Sequence, residues 1–154
     1  HDPSYDVRAA SLSALARIDP AERASLIAKG LSTPSYQDVI QDAALRAAAA
    51  SNDTSLIPTL DSLSRDNRGA MLALASFARQ GNAHAAALLS HALDDDQDFV
   101  RQSALIAIVR GLPAAQAAET LRARASTLTH PETRALVESL IPRLEQRASQ
   151  GQSQ

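Results

Sequence analysis

The chain has 154 residues, 45% of them apolar but only 3% aromatic, with no Cys, no Trp and a formal net charge of −2. That length suits one domain. The lack of Cys excludes disulfides, thiolate zinc sites and Cys nucleophiles, and the charge offers no basic field for nucleic acid or an anionic membrane. The apolar residues are largely Ala and Leu, with β-branched and aromatic strand formers sparse, so the expected fold is all-α. No apolar run approaches the roughly 20 residues that span a bilayer, and a soluble chain is expected.

Asp2-Pro3-Ser4 supplies an N-cap and an early Pro for a first helix over Tyr5–Ile18. Asp19-Pro20 breaks it, and a short partner helix over Ala21–Lys29 is closed by Gly30. After the turn at Ser32–Ser35, a long helix is predicted over Gln37–Ala50, then a short one over Ser55–Leu63 with Pro58 in its first turn or kinking it. The stretch Arg65–Gly69 reads as a turn ahead of a third long helix, and Gly81-Asn82 turns the chain into a helix over Ala83–Leu93. Asp94-Asp95-Asp96 is expected to cap a fourth long helix from Phe99 to Arg110. Gly111-Leu112-Pro113 leads into a helix over Ala114–Ser126. A last helix starts at Pro131 with a kink expected at Pro142, and the polar tail 149–154 is expected to fray.

These elements repeat. Val7, Arg8, Leu12, Ala14, Leu15 and Arg17 align with Val100, Arg101, Leu105, Ala107, Ile108 and Arg110 at an offset of 93 residues, three periods of about 31. Ile40, Ala43 and Leu45 take the places of Val7, Ala10 and Leu12, and Leu74, Phe77 and Arg79 those of Leu12, Leu15 and Arg17. The third unit is degenerate at its start, where Gly69 stands in the place of Val7. In the first helix Val7, Ala10, Ala14, Leu15 and Ile18 form one apolar stripe, with Leu12 off it. A helix apolar on two sides suits a stack in which each unit packs on both neighbours. The expectation is therefore a HEAT-like α-solenoid over 1–148, with repeats at about 2–31, 32–64, 65–93 and 94–127 and a capping helix at 131–148. The capping helix has one narrow stripe (Val137, Leu140, Ile141, Leu144) and is otherwise polar. The first unit has no polar cap of that kind, so something upstream is expected to cover it, and the chain reads as the C-terminal end of a longer protein.

Residues with chemical potential are few. His84 and His91 are seven apart on one helix, whereas zinc ligands on a single helix prefer a spacing of four, so no metal site is expected there. Asp94, Asp95, Asp96 and Asp98 have the charge for calcium but lack the Gly and distal Glu of a calcium loop. There is no Gly-x-Ser-x-Gly elbow and no Gly-rich phosphate loop. Arg8 and Arg101, equivalent in two units, are expected to brace the turns before them, and Tyr5, Tyr36 and Phe99 to staple helix entries. No catalytic residue and no cofactor is expected within this chain.

Three helix-entry stretches, taken in order, carry a family resemblance: Asp2–Ala10, Pro34–Leu45 and Asp95–Arg101. They resemble the C-terminal HEAT-like repeats of bacterial M1-family (aminopeptidase N-like) zinc metallopeptidases, and the likeness covers nearly the whole chain. It implies an upstream catalytic domain holding zinc through His-Glu-x-x-His and a later Glu, none of which is present here. It also implies that this segment is non-catalytic, covers the active site as a bowl and shapes peptide access. The candidate interaction surface, from helix position, is Glu22, Arg23, Asp61, His84, His91, Glu119 and Arg122. Two other readings remain open. One is a stand-alone HEAT scaffold that binds a protein partner. The other is a HEAT-fold enzyme, either a lyase or a glycosylase, although a glycosylase needs a basic groove with aromatic wedges that this composition does not provide.

Overall fold

A computed structural model describes residues 4–18, 21–35 and 38–151. Among these residues the chain is all-helical, with no strand. In chain order the helices are α1 (Tyr5–Ile18), α2 (Arg23–Leu31), α3 (Val39–Ser51), α4 (Ile57–Leu63), α5 (Arg68–Arg79), α6 (Ala83–Ala92), α7 (Asp98–Gly111), α8 (Ala114–Ala125) and α9 (Pro131–Gly151). A 3-10 turn, Thr54–Leu56, precedes α4. The break expected at Asp19-Pro20, the residues Asp2, Pro3, Tyr36 and Gln37, and the end of the polar tail lie outside the described residues.

Local chemistry sets the starts of α4, α5 and α6. The Asn67 side chain accepts hydrogen bonds from Gly69 N and Ala70 N, and the Asn82 side chain accepts one from Ala85 N, so each satisfies amides that have no partner inside the helix. Pro58 sits in the first turn of α4, where its missing N–H costs nothing, and it does not kink the helix. Gly81, at φ 90°, turns the chain between α5 and α6 in the left-handed region. Pro142 lies inside a continuous α9, and that helix includes Ser149–Gly151, so the start of the polar tail is ordered helix.

Two expectations about α1 and α2 change. Gly30 does not end α2, which continues to Leu31. A Cβ there would lie 2.4 Å from Leu12 Cδ1 and 2.8 Å from Ala44 Cβ, so the glycine marks a close approach of α1, α2 and α3. The stripe Val7, Ala10, Ala14, Leu15 and Ile18 does not face the core: all five are exposed, Leu15 at 48% and Ile18 at 76%. The inner face is Ala9, Leu12, Ser13 and Ala16, with both Ala buried and the other two half-buried. These four also fall at helical spacing. Small side chains let α1 lie close to α2 and α3, and that geometry outweighs the greater apolarity of the opposite stripe.

Packing runs in series. α1 contacts α3, α3 contacts α5, α5 contacts α7 and α7 contacts α9. The helices between them fill in, with α2 on α1 and α3, α4 on α5, α6 on α5 and α7, and α8 on α7 and α9. α5, held between α3 and α7, buries Ala70, Met71, Ala73, Leu74, Ala75, Phe77 and Ala78. One continuous core results, with Ile27, Leu60, Phe77, Leu89, Ile108, Leu121 and Leu144 among its fully enclosed side chains. Polar side chains link successive segments across the surface. Asn67 donates to Gln41 Oε1 at 3.0 Å, Gln41 to Leu31 O at 2.9 Å, Gln80 to Ala49 O at 3.2 Å and Gln116 to Ala78 O at 3.3 Å.

Candidate functional site

The seven surface candidates lie on or beside the even-numbered helices. Glu22 is exposed just before α2, Asp61 is exposed on α4, His84 and His91 are exposed on α6, and Glu119 is exposed on α8. Arg122 of α8 is committed elsewhere, in an ion pair with Glu145 of α9. Arg23 is half-buried and donates from Nε to Ala16 O at 2.7 Å, tying α2 to the C-terminal turn of α1. No hydrogen bond or ion pair joins any two of Arg23, Asp61, His84, His91, Glu119 and Arg122. The candidates are distributed over four helices and do not converge on one chemical centre.

The sequence reading missed two features. The first is a groove of about 440 Å³ between α1, α2 and α3, lined by Arg17, Arg23 and Arg46 together with Ser13, Ala16, Ala47, Ala50 and Ser51. Only Arg23 was among the candidates. The three arginines come from separate helices, and no spacing rule links them in sequence. The second is which residues make the uncapped side of the first unit: the apolar stripe of α1 is exposed and is continued by a groove of about 390 Å³ whose lining includes Val7, Leu12, Leu15, Leu26 and Ile40. Tyr5 at 40% and Phe99 at 38% exposure are not buried staples; each ring lies under a guanidinium, Arg8 over Tyr5 at 5.9 Å and Arg68 over Phe99 at 5.8 Å.

The Asp-rich loop does something other than cap α7, whose N-cap residue is Gln97 with no side-chain cap bond. Asp95 Oδ1 accepts from Gln97 N at 2.9 Å, and its other oxygen meets Arg65 at 3.3 Å. Arg101 braces this turn as expected, donating to Asp95 O at 2.8 Å and Asp96 O at 3.0 Å and pairing with Asp98 at 3.2 Å. Arg8 has no such arrangement with a described residue; its guanidinium meets the Tyr5 ring.

Asp94 reaches the other way, accepting from Thr129 N at 2.8 Å and Thr129 Oγ1 at 2.9 Å. Partial burial acts to raise the Asp94 carboxyl. The bonds from Thr129, with His130 alongside, outweigh it and hold the pKa below the ordinary carboxylate value. These carboxylates are engaged by amides and arginines and form a structural joint. Among the described residues no group of three or more His, Asp or Glu is arranged to hold a metal ion, and no helix is long and apolar enough to cross a membrane. Comparison of the chain with protein-family models, curated proteins and solved structures gives no match.

Proposed function

We propose that the chain is a HEAT-like α-solenoid serving as the non-catalytic C-terminal domain of an M1-like zinc aminopeptidase. On this reading it covers the active site of an upstream catalytic domain and shapes peptide access. The serial contacts of α1, α3, α5, α7 and α9 support the solenoid part of the reading. The resemblance of the three helix-entry stretches supports the peptidase part.

The observation that carries the proposal is the unequal treatment of equivalent positions. Val100, Ser103, Ala104, Ala107 and Ile108 of α7 are buried, and α7 has α5 packed against it. At the same offset of 93 residues stand Val7, Ala10, Ser11, Ala14 and Leu15 of α1, all exposed. Nothing takes the place of α5 against α1 among the described residues. A contiguous apolar face of this kind marks an interaction surface, and the upstream part of the parent protein is its partner in this account.

The test is hydrolysis by the full native polypeptide, with zinc and after chelation. The reading expects zinc-dependent release of N-terminal residues. It further expects alanine at Asp61, His84 or Glu119 to change KM for long peptides while leaving an aminoacyl chromogenic amide unaffected. Absence of zinc-dependent hydrolysis would turn the account towards a scaffold that binds a protein partner.

A further inference from the structure

Among the described residues that line it, the groove between α1, α2 and α3 gathers positive charge and no carboxylate. Arg17 and Arg46 are exposed and Arg23 is half-buried, and all three line one concavity of about 440 Å³. Among the described residues none of the three is within ion-pair distance of a carboxylate. Like charges lining one concavity repel, which favours compensation by negative charge. Part of it is internal, since Arg17 donates from Nε to Ser13 O at 3.2 Å and Arg23 from Nε to Ala16 O at 2.7 Å, where the carbonyl end of α1 favours a cation. Each of those bonds uses one of the five N–H donors of a guanidinium. Arg46 has no hydrogen bond to a described residue, and it stands one turn before the end of α3.

The walls complete the picture. Ala16, Ala47 and Ala50 supply methyl surface between the charges, and Ser13 supplies a hydroxyl, that of Ser51 being already engaged by Ala48 O and Asp53 N. An apolar-walled pocket of a few hundred Å³ with a few convergent polar groups is the usual form of a small-ligand site. Planar guanidiniums match a carboxylate or phosphate through paired N–H donors, which a lysine cluster would not do.

We propose that this groove is a binding site for a small oxyanion, a carboxylate or phosphate group carried on a short apolar body. The guanidiniums of Arg23 and Arg46 clamp the anion, Arg17 adds charge at the mouth, and the alanine methyls receive the apolar part. The inference is independent of what the rest of the polypeptide does.

The test is an NMR titration of the 15N-labelled chain, following backbone amides and arginine Nε–H signals. The probes are inorganic phosphate, N-acetyl-leucine and, as the uncharged control, N-acetyl-leucinamide. The site predicts saturable shifts confined to Ser13–Arg17, Arg23 and Arg46–Ser51 with at least one of the two anions and none with the amide. Saturation by phosphate alone assigns the site to phosphoryl groups, and saturation by N-acetyl-leucine alone assigns it to carboxylates. Arg46→Gln should weaken binding about tenfold without changing the melting temperature, because Arg46 is exposed. Arg147→Gln, on α9, should leave binding unchanged. No saturable shift, a response spread over all arginines, or an undiminished response in Arg46→Gln would overturn the proposal.

Discussion

The carboxylate of Asp94 joins the loop before α7 to the loop before α9, 35 residues further on, through its two bonds to Thr129. Replacing it with Ala should cost about 1–2 kcal/mol, the low end for hydrogen bonds to a charged group because the bonds are solvent-exposed. Its pKa is lowered in the folded chain, so its contribution is fully present above the unfolded value of about 3.9 and is lost as pH falls through the folded value. Urea denaturation should therefore show wild type and Asp94→Ala differing near neutral pH and converging in acid below about pH 4. A constant gap across that range would count against the assignment. Ser103 presents the opposite case. It is fully buried in α7, and its hydroxyl has no hydrogen-bond partner. Ser103→Ala removes an unsatisfied polar atom and improves helix propensity, so it should raise stability by about 0.5–1 kcal/mol in the same assay. Neither effect is legible in sequence. The run Asp94-Asp95-Asp96 reads as a cap for the helix that follows, and only the fold brings Thr129 to Asp94.

At the scale of the elements, helix order and most boundaries follow from periodicity, Pro and Asn. α1 falls on its predicted residues, Asn67 and Asn82 start their helices, and Val137, Leu140, Ile141 and Leu144 form the inner face of α9. What failed was the choice of face in α1 and the role of Gly30. Both errors have one cause. The sequence ranks side chains by apolarity, whereas close helix packing selects small ones, so Ala9, Ser13, Ala16 and Gly30 sit inside while Val7, Leu15 and Ile18 sit outside. Gly30→Ala is accordingly a critical substitution. It gains helix propensity of about 1 kcal/mol but drives a methyl against Leu12 and the Ala44 methyl. The net expectation is a loss of about 1–2 kcal/mol by thermal or urea denaturation. A stabilised variant would show that α1 and α3 are less tightly apposed than the structure has them. The arginine groove was equally hidden, because Arg17, Arg23 and Arg46 become neighbours only when α1, α2 and α3 pack together.

For the whole molecule, the two ends of the helix series differ in what they present. α9 turns Glu138, Arg143, Glu145 and Gln146 outward, whereas α1 turns out Val7, Leu15 and Ile18. In this chain alone, Leu15→Ser or Ile18→Ser should change stability by no more than about 0.5 kcal/mol, as exposed substitutions do. In the full native polypeptide the same changes should cost several times more, because the account places them in an interface there; equal effects in both contexts would remove that role from α1. The most direct test of the central claim is the intact mass of the native polypeptide containing this segment, with its sequence read by peptide mapping. The account predicts a chain far heavier than the 16.3 kDa of these residues, carrying His-Glu-x-x-His and a later Glu upstream of α1. A native chain of about that mass, starting within a few residues of Asp2, would contradict it.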